Sequence, residues 1–143
     1  WLYCLHPDTG EQIWKFRTDG PIQASALVHD GRGYFGSFDH HLYCIDLPEA
    51  DEAPEEIWKY DAGSQIISSA HILDDSIFFC DLDGRMHSVG INGSGKWTTD
   101  LSDLEIWATP LIDEERGLAY VILIVRSILP EPCTTACFII PQE

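Results

Sequence analysis

Positive charge is scarce in this chain. Its 143 residues carry 8 Lys and Arg against 24 Asp and Glu, a formal net charge of −16 at pH 7. Binding to nucleic acid needs basic surface to displace counterions from phosphate, so this balance argues against it. It argues equally against an anionic membrane surface, and the acidity reads as solubility. Long hydrophobic runs are also missing. The longest, Leu118 to Val125, is eight residues and ends at Arg126. A membrane-spanning helix needs about 20, so this run reads as a buried strand. Methionine is nearly absent: Met86 is the only one, and residue 1 is tryptophan. We therefore expect a fragment of something longer, or a processed piece. The lack of a targeting segment then says nothing about compartment, and periplasm and cytoplasm both fit.

Catalytic signatures are lacking too. No nucleophile–base pair stands out. Gly93-Ser94-Gly95-Lys96 resembles a phosphate-cradling loop only superficially. It lacks the rest of that pattern and a following helix, and reads as a turn. The cysteines number five. Cys4, Cys44 and Cys80 fall inside apolar runs and read as small packing residues. Cys133 and Cys137 have Cys-x-x-x-Cys spacing, but no second Cys/His pair stands at zinc-ligand spacing.

What is present is an internal repeat. Leu2-Tyr3-Cys4-Leu5 returns as Leu42-Tyr43-Cys44-Ile45, and in weaker form as Met86-His87-Ser88-Val89. Trp14 returns as Trp58 and Trp97. Ile22-x-Ala24-Ser25-Ala26 returns as Ile66-x-Ser68-Ser69-Ala70 and Ile106-x-Ala108-Thr109-Pro110. The steps lie between 39 and 44 residues. A period of this length marks modules that cannot each bury a core alone. With 45% apolar residues, the chain can build a sizeable core by stacking them.

Helical periodicity is almost absent, whereas strand alternation is common. Ile22, Ala24, Ala26 and Val28 share one side; so do Ile66, Ser68, Ala70 and Ile72, and Ile106, Ala108, Pro110 and Ile112. Asp30-Gly31, Asp74-Asp75 and Asp83-Gly84 separate adjoining apolar runs as hairpin turns do. The predicted strands are 2–6 and 12–17; then 22–29, 33–38, 41–46 and 56–60; then 66–73, 76–81, 85–90 and 95–98; then 105–112 and 118–124. This makes a half unit (1–20), two whole four-stranded units (21–62 and 63–100) and a second half unit (101–122). Residues 48–56, an acidic stretch with two prolines, read as a solvated insert. Residues 123–143 read as a divergent C-terminal tail, in which Ser127 to Glu143 match no repeat anchor; a capping tail, a divergent half blade and the scar of a truncated or altered reading frame all fit.

Four-stranded antiparallel units at this period describe propeller blades. The expected fold is therefore all-β: a partial β-propeller with about three blades' worth of chain, a fragment of a larger ring. The residues also resemble a named family, the pyrroloquinoline-quinone-type propeller repeat. Its blade motif is similar to Cys4 through Trp14, with Thr9, Gly10 and Trp14 in register. Cys4 stands for the family's alanine, His6 for its aspartate and Glu11 for its lysine. Phe16-x-Thr18-x-Gly20-Pro21-Ile22 resembles the family's link into the next inner strand. Tyr34-Phe35-Gly36-Ser37-x-Asp39 resembles another of its runs, with His40 where glycine is usual. The resemblance covers residues 1 to about 122.

It implies several functions, because the family includes quinone-dependent alcohol and sugar dehydrogenases, an outer-membrane-assembly scaffold, sensor domains and an accessory module of an adenylate-forming enzyme. The residues favour a non-catalytic scaffold or binding platform with no cofactor. A quinone dehydrogenase fragment holding pyrroloquinoline quinone with calcium, or an accessory propeller module of an adenylate-forming enzyme, remain the alternatives. Trp14, Trp58 and Trp97, with Thr9 and Gly10, are expected to dock neighbouring blades, since they recur once per repeat. His40 and His41 are adjacent, so a strand would point them to opposite faces, which disfavours chelation. Asp39, Asp81 and Asp83 are candidate calcium ligands that read more simply as turn residues. His6, His29, His71 and His87 form no recognisable constellation. The expected partners are a protein or the remaining blades of the parent, with self-association when the chain is made alone.

Overall fold

The computed structural model describes residues 1–48, 52–101, 103, 105–122 and 135–139, the last five as backbone. The described residues form strands and connecting turns, without helices. Strands β1 (Leu2–Leu5) and β2 (Gln12–Phe16) make a two-stranded sheet. Strands β3 (Leu27–His29), β4 (Arg32–Gly36), β5 (His41–Asp46) and β6 (Glu56–Asp61) make a four-stranded sheet in sequence order. Strands β7 (His71–Leu73), β8 (Ser76–Cys80), β9 (Arg85–Gly90) and β10 (Gly95–Asp100) make another. Strands β11 (Leu111–Asp113), β12 (Leu118–Ile122) and β13 (Thr135–Ile139) complete the order. Every pairing is antiparallel. The chain is thus all-β, a partial propeller built from four-stranded antiparallel units.

The turns follow from local chemistry. Asp30 and Gly31 join β3 to β4 with φ of 48° and 70°, the mirror-image hairpin turn that matches strand twist. Asp74, at the first place of the turn between β7 and β8, also has a positive φ of 49°. Registers repeat as well: Leu27 faces Tyr34, His71 faces Phe78 and Leu111 faces Tyr120.

Three apolar clusters lie between successive sheets. The first joins Trp14, Leu2, Cys4 and Phe16 to Phe35, Tyr43 and Ile45. The second joins Tyr34, Leu42, Cys44 and Trp58 to Ile66, Ile77, Phe79 and Val89. The third joins Phe78, Cys80, Met86 and Trp97 to Ile106, Ile112, Ala119 and Val121. Alternation explains this: even and odd positions of β4 and β5 serve opposite seams, as do those of β8 and β9, so the inner strands of the two four-stranded sheets are buried on both faces.

One expectation needs correction. The first strand of each unit is only three residues, not eight. The preceding segment turns its backbone to neighbouring groups instead: Ile66 N–H donates to Ser37 O at 3.1 Å. The alternation there reports burial without ladder pairing. Ile66, Ser68 and Ala70 are all buried, whereas Val28 is 65% exposed although its counterpart Ile112 is 6% exposed. Val28 lies where a preceding unit's inner strands would cover it.

Part of the tail adds one strand to the last sheet: backbone at Thr135–Ile139 pairs with β12. Cys137 stands opposite Tyr120 as Cys44 stands opposite Tyr34. The spacing of this register match differs from that of the earlier unit. Cys44 follows Tyr34 by 10 residues and Cys137 follows Tyr120 by 17, so a fixed period misses it. Cys133 lies outside the described residues.

Candidate functional site

The recurring tryptophans lie in the apolar clusters between units. Each Trp follows a one-residue bulge. Cys4 pairs with Trp14 but Leu5 with Gln12, leaving Ile13 extra. Cys44 pairs with Trp58 but Ile45 with Glu56, leaving Ile57 extra. Ser88 pairs with Trp97 but Val89 with Gly95, leaving Lys96 extra. A bulge re-aims the next side chain, and in all three cases the ring enters the cluster toward the following unit. Trp58 shows the contact in detail. Its Nε1–H donates to Ile91 O at 3.1 Å. A methyl on Gly93 (φ 86°) would come within 2.9 Å of its ring. Gly36 in β4 makes a similarly close approach, where a methyl would overlap Ile66 Cγ2.

Thr9 and Gly10 occupy the turn between β1 and β2. Both are exposed, and their hydrogen bonds stay within the turn: Gly10 N–H to His6 O at 2.8 Å, Glu11 N–H to Thr9 Oγ1 at 3.3 Å. Trp14, Trp58 and Trp97 reach the seams; Thr9 and Gly10 do not.

Polar chemistry is concentrated at the hairpins after β4 and β8. In the first, Asp39 accepts from Tyr43 Oη at 2.8 Å, His41 N–H at 3.1 Å, and Asp19 and Gly20 N–H at 3.0 and 3.2 Å. Burial alone would raise its pKa, but the bonds from Tyr43, Ser37 and the backbone prevail and hold it below 3.8. Tyr43 shows the reverse: burial and the Asp39 carboxylate push its hydroxyl well above 10.

In the second hairpin the fully buried Asp81 accepts from His87 Nε2 and Arg85 Nε, both at 2.8 Å. Asp83 and Arg85 N–H add bonds of 3.0 and 3.1 Å. Burial again opposes ionisation, and these bonds again hold the carboxyl below 3.8. His87 Nδ1 lies 3.1 Å from Thr98 Oγ1. In the neutral ring, Nε2–H donates to Asp81 and Nδ1 accepts from the Thr98 hydroxyl. His87 thus belongs to a constellation, contrary to the expectation for the scattered histidines.

The order Asp81–His87–Thr98 is that of a carboxylate–imidazole–hydroxyl relay. Its surroundings give it a different use. The imidazole stacks on Phe79 at 4.8 Å and meets the edge of Tyr60 from the preceding unit at 6.0 Å. The carboxylate is already committed to Arg85 and two turn amides. The relay clamps a hairpin to its outer strand and to the seam. Asp39, stacked Phe35–Tyr43 (5.6 Å) and the first hairpin form a similar device, with Tyr43 Oη on one carboxylate oxygen and His41 Nδ1 3.3 Å from the other.

The carboxylates needed for a calcium centre are therefore occupied by their own turns. Among the described residues, no three His, Cys, Asp or Glu groups converge as metal ligands. Asp39, Asp81 and Asp83 are not arranged as one calcium-ligand set. His40 is exposed at φ 75°, and His41 Nδ1 bonds back to Asp39 O at 2.8 Å, so the pair diverges. Cys80 is buried, and burial with the Asp81 charge pushes its thiol up to about 12.

No family model matches the chain, and no curated protein matches it. Solved structures do. BamB from Moraxella catarrhalis superposes with a TM-score of 0.67 at 18% identity, covering 82% of this chain and 39% of that one. Quinohemoprotein alcohol dehydrogenase from Comamonas testosteroni gives 0.61 at 16%, covering 76% and 18%. A europium-containing methanol dehydrogenase gives 0.64 at 19%, covering 78% and 22%. The chain spans about two fifths of BamB and about a fifth of each dehydrogenase. At these identities the likeness establishes the β-propeller fold.

Proposed function

We propose that this chain is a non-catalytic propeller segment, serving as a scaffold or protein-binding platform within a larger ring. Its first partners are further units of that ring. One observation carries the reading. Tyr3 and Leu5 are 52% and 51% exposed, while the matching Tyr43 and Ile45 are 2% and 0% exposed. The same residue types, at the same repeat positions, are buried wherever a preceding unit supplies its Trp-bearing face. The end face is therefore a seam half awaiting its other half. The turn carboxylates support the same reading, since they serve the hairpins and not a ligand.

A quinone dehydrogenase needs a closed ring of ~4–8 blades around its cofactor, more than this chain supplies alone. Titration with pyrroloquinoline quinone and calcium, followed by absorbance and a dye-linked alcohol assay, tests the choice. We expect neither binding nor turnover. Saturable binding with turnover would overturn the scaffold reading.

A further inference from the structure

Three hydroxyl residues recur at one position of the repeat: Ser25, Ser69 and Thr109, at steps of 44 and 40 residues. Each precedes the first strand of its unit, where the backbone makes no ladder with its own sheet. Ser25 N–H donates to Ser69 Oγ at 2.9 Å. Ser69 N–H donates to Thr109 Oγ1 at 3.0 Å. The middle residue is thus acceptor toward one neighbour and donor toward the other. Apolar burial alone fixes no such direction, because it is non-directional.

We propose that Ser25, Ser69 and Thr109 are rungs of a directional hydrogen-bond ladder that sets each unit against the next. A unit joining the series must therefore bring a Ser or Thr at this position. The short side chain is the physical reason. The hydroxyl sits one bond from the Cβ, so its oxygen stays close to the backbone that it links. Valine matches the shape of threonine without the acceptor, and alanine leaves a gap. The inference rests on the propeller-segment reading, since it needs successive units in contact.

Residue-resolved amide exchange on the whole chain tests it. We expect Thr109→Val to speed exchange at Ser69 about fivefold, the factor that one net hydrogen bond supplies, and to leave Ser25 unchanged. Ser69→Ala should speed Ser25 instead. Thr109→Ser and Ser69→Thr, which keep the acceptor, should stay near wild type. Rates within twofold of wild type in the Val and Ala variants, or an equal rise at all amides, overturn the ladder. The Trp58 indole N–H separates the two readings. If it is protected while the rungs fail, only the ladder is lost; if it exchanges freely in the wild type, the seam itself is wrong.

Discussion

Asp81 concentrates more hydrogen bonds than its neighbours in the second hairpin, and its removal is correspondingly costly. Asp81→Asn deletes the charge facing Arg85 and His87 and turns an amide NH2 toward donors. Leaving a buried charge without its partner costs about 3 kcal/mol, so urea unfolding at pH 7 should shift by that order. The pH dependence has a definite sign. The folded-state pKa lies below the ordinary 3.8, so ionised Asp81 adds stability above that value. The gain disappears as pH falls through the lower folded-state value. The gap between wild type and variant should therefore narrow below about pH 4; a constant gap down to pH 2 would contradict the clamp. His40 makes the opposite prediction. It holds φ 75° without glycine's freedom, so His40→Gly should raise stability by about 0.5–1 kcal/mol in the same titration. The strained position was visible in the sequence, where histidine stands in a glycine place. The carboxylate clamp was not. Repeat alignment pairs Asp39 with Asp83, whereas hydrogen bonding pairs its role with Asp81, two residues earlier. Which carboxylate turns inward depends on the reach of Tyr43 or His87 from the next strand. Alternation assigns faces, not reach.

At the scale of strands, the decisive contacts are those where backbone approaches a neighbouring unit. Gly36 in β4 lies under Ile66, and an added methyl would overlap that side chain. Gly36→Ala should cost about 3 kcal/mol, the upper range of overpacking. Ile66→Ala alone opens a cavity in the seam and should cost about 2–5 kcal/mol. The two changes share one volume, so the double variant should be at least 1 kcal/mol more stable than the sum of the singles implies. Strict additivity in thermal or urea unfolding would mean that Gly36 and Ile66 do not touch. Strand order and hairpins were legible because Asp-Gly turns and period-two alternation are local signals. The bulge before each Trp was not, since one extra residue shifts the register without changing composition. The third strand of the last unit escaped for a related reason. Its spacing differs from the repeat, and only through-space pairing with β12 recovers the match of Cys137 to Cys44.

On the scale of the molecule, two forces oppose each other. Tyr3, Leu5 and Val28 leave one end apolar, and Leu111 and Ile122, 63% and 56% exposed, leave the other so. Tyr43, Ile45, Ile112 and Cys80, the counterparts of Tyr3, Leu5, Val28 and Ile122, are buried at inner seams, which makes both ends adhesive. Against this stands a net charge of −16 on every copy, which repels a second copy over the screening length. That length is about 30 Å at 0.01 M salt and about 8 Å at 0.15 M. Burial of apolar surface does not weaken with added salt in this range, whereas repulsion does. Sedimentation should therefore find smaller species at 0.01 M salt and larger ones at 0.15 M, growing with protein concentration. Tyr3→Glu combined with Leu111→Asp should suppress the larger species at both salts by charging the two end faces. Association that weakens as salt rises would identify paired charges as the adhesive and remove the end faces from that role. A chain that stays monomeric throughout would show that these faces are too small to hold a second copy. Docking would then need the covalent continuity of a longer ring, which raises the effective concentration of each unit for its neighbour.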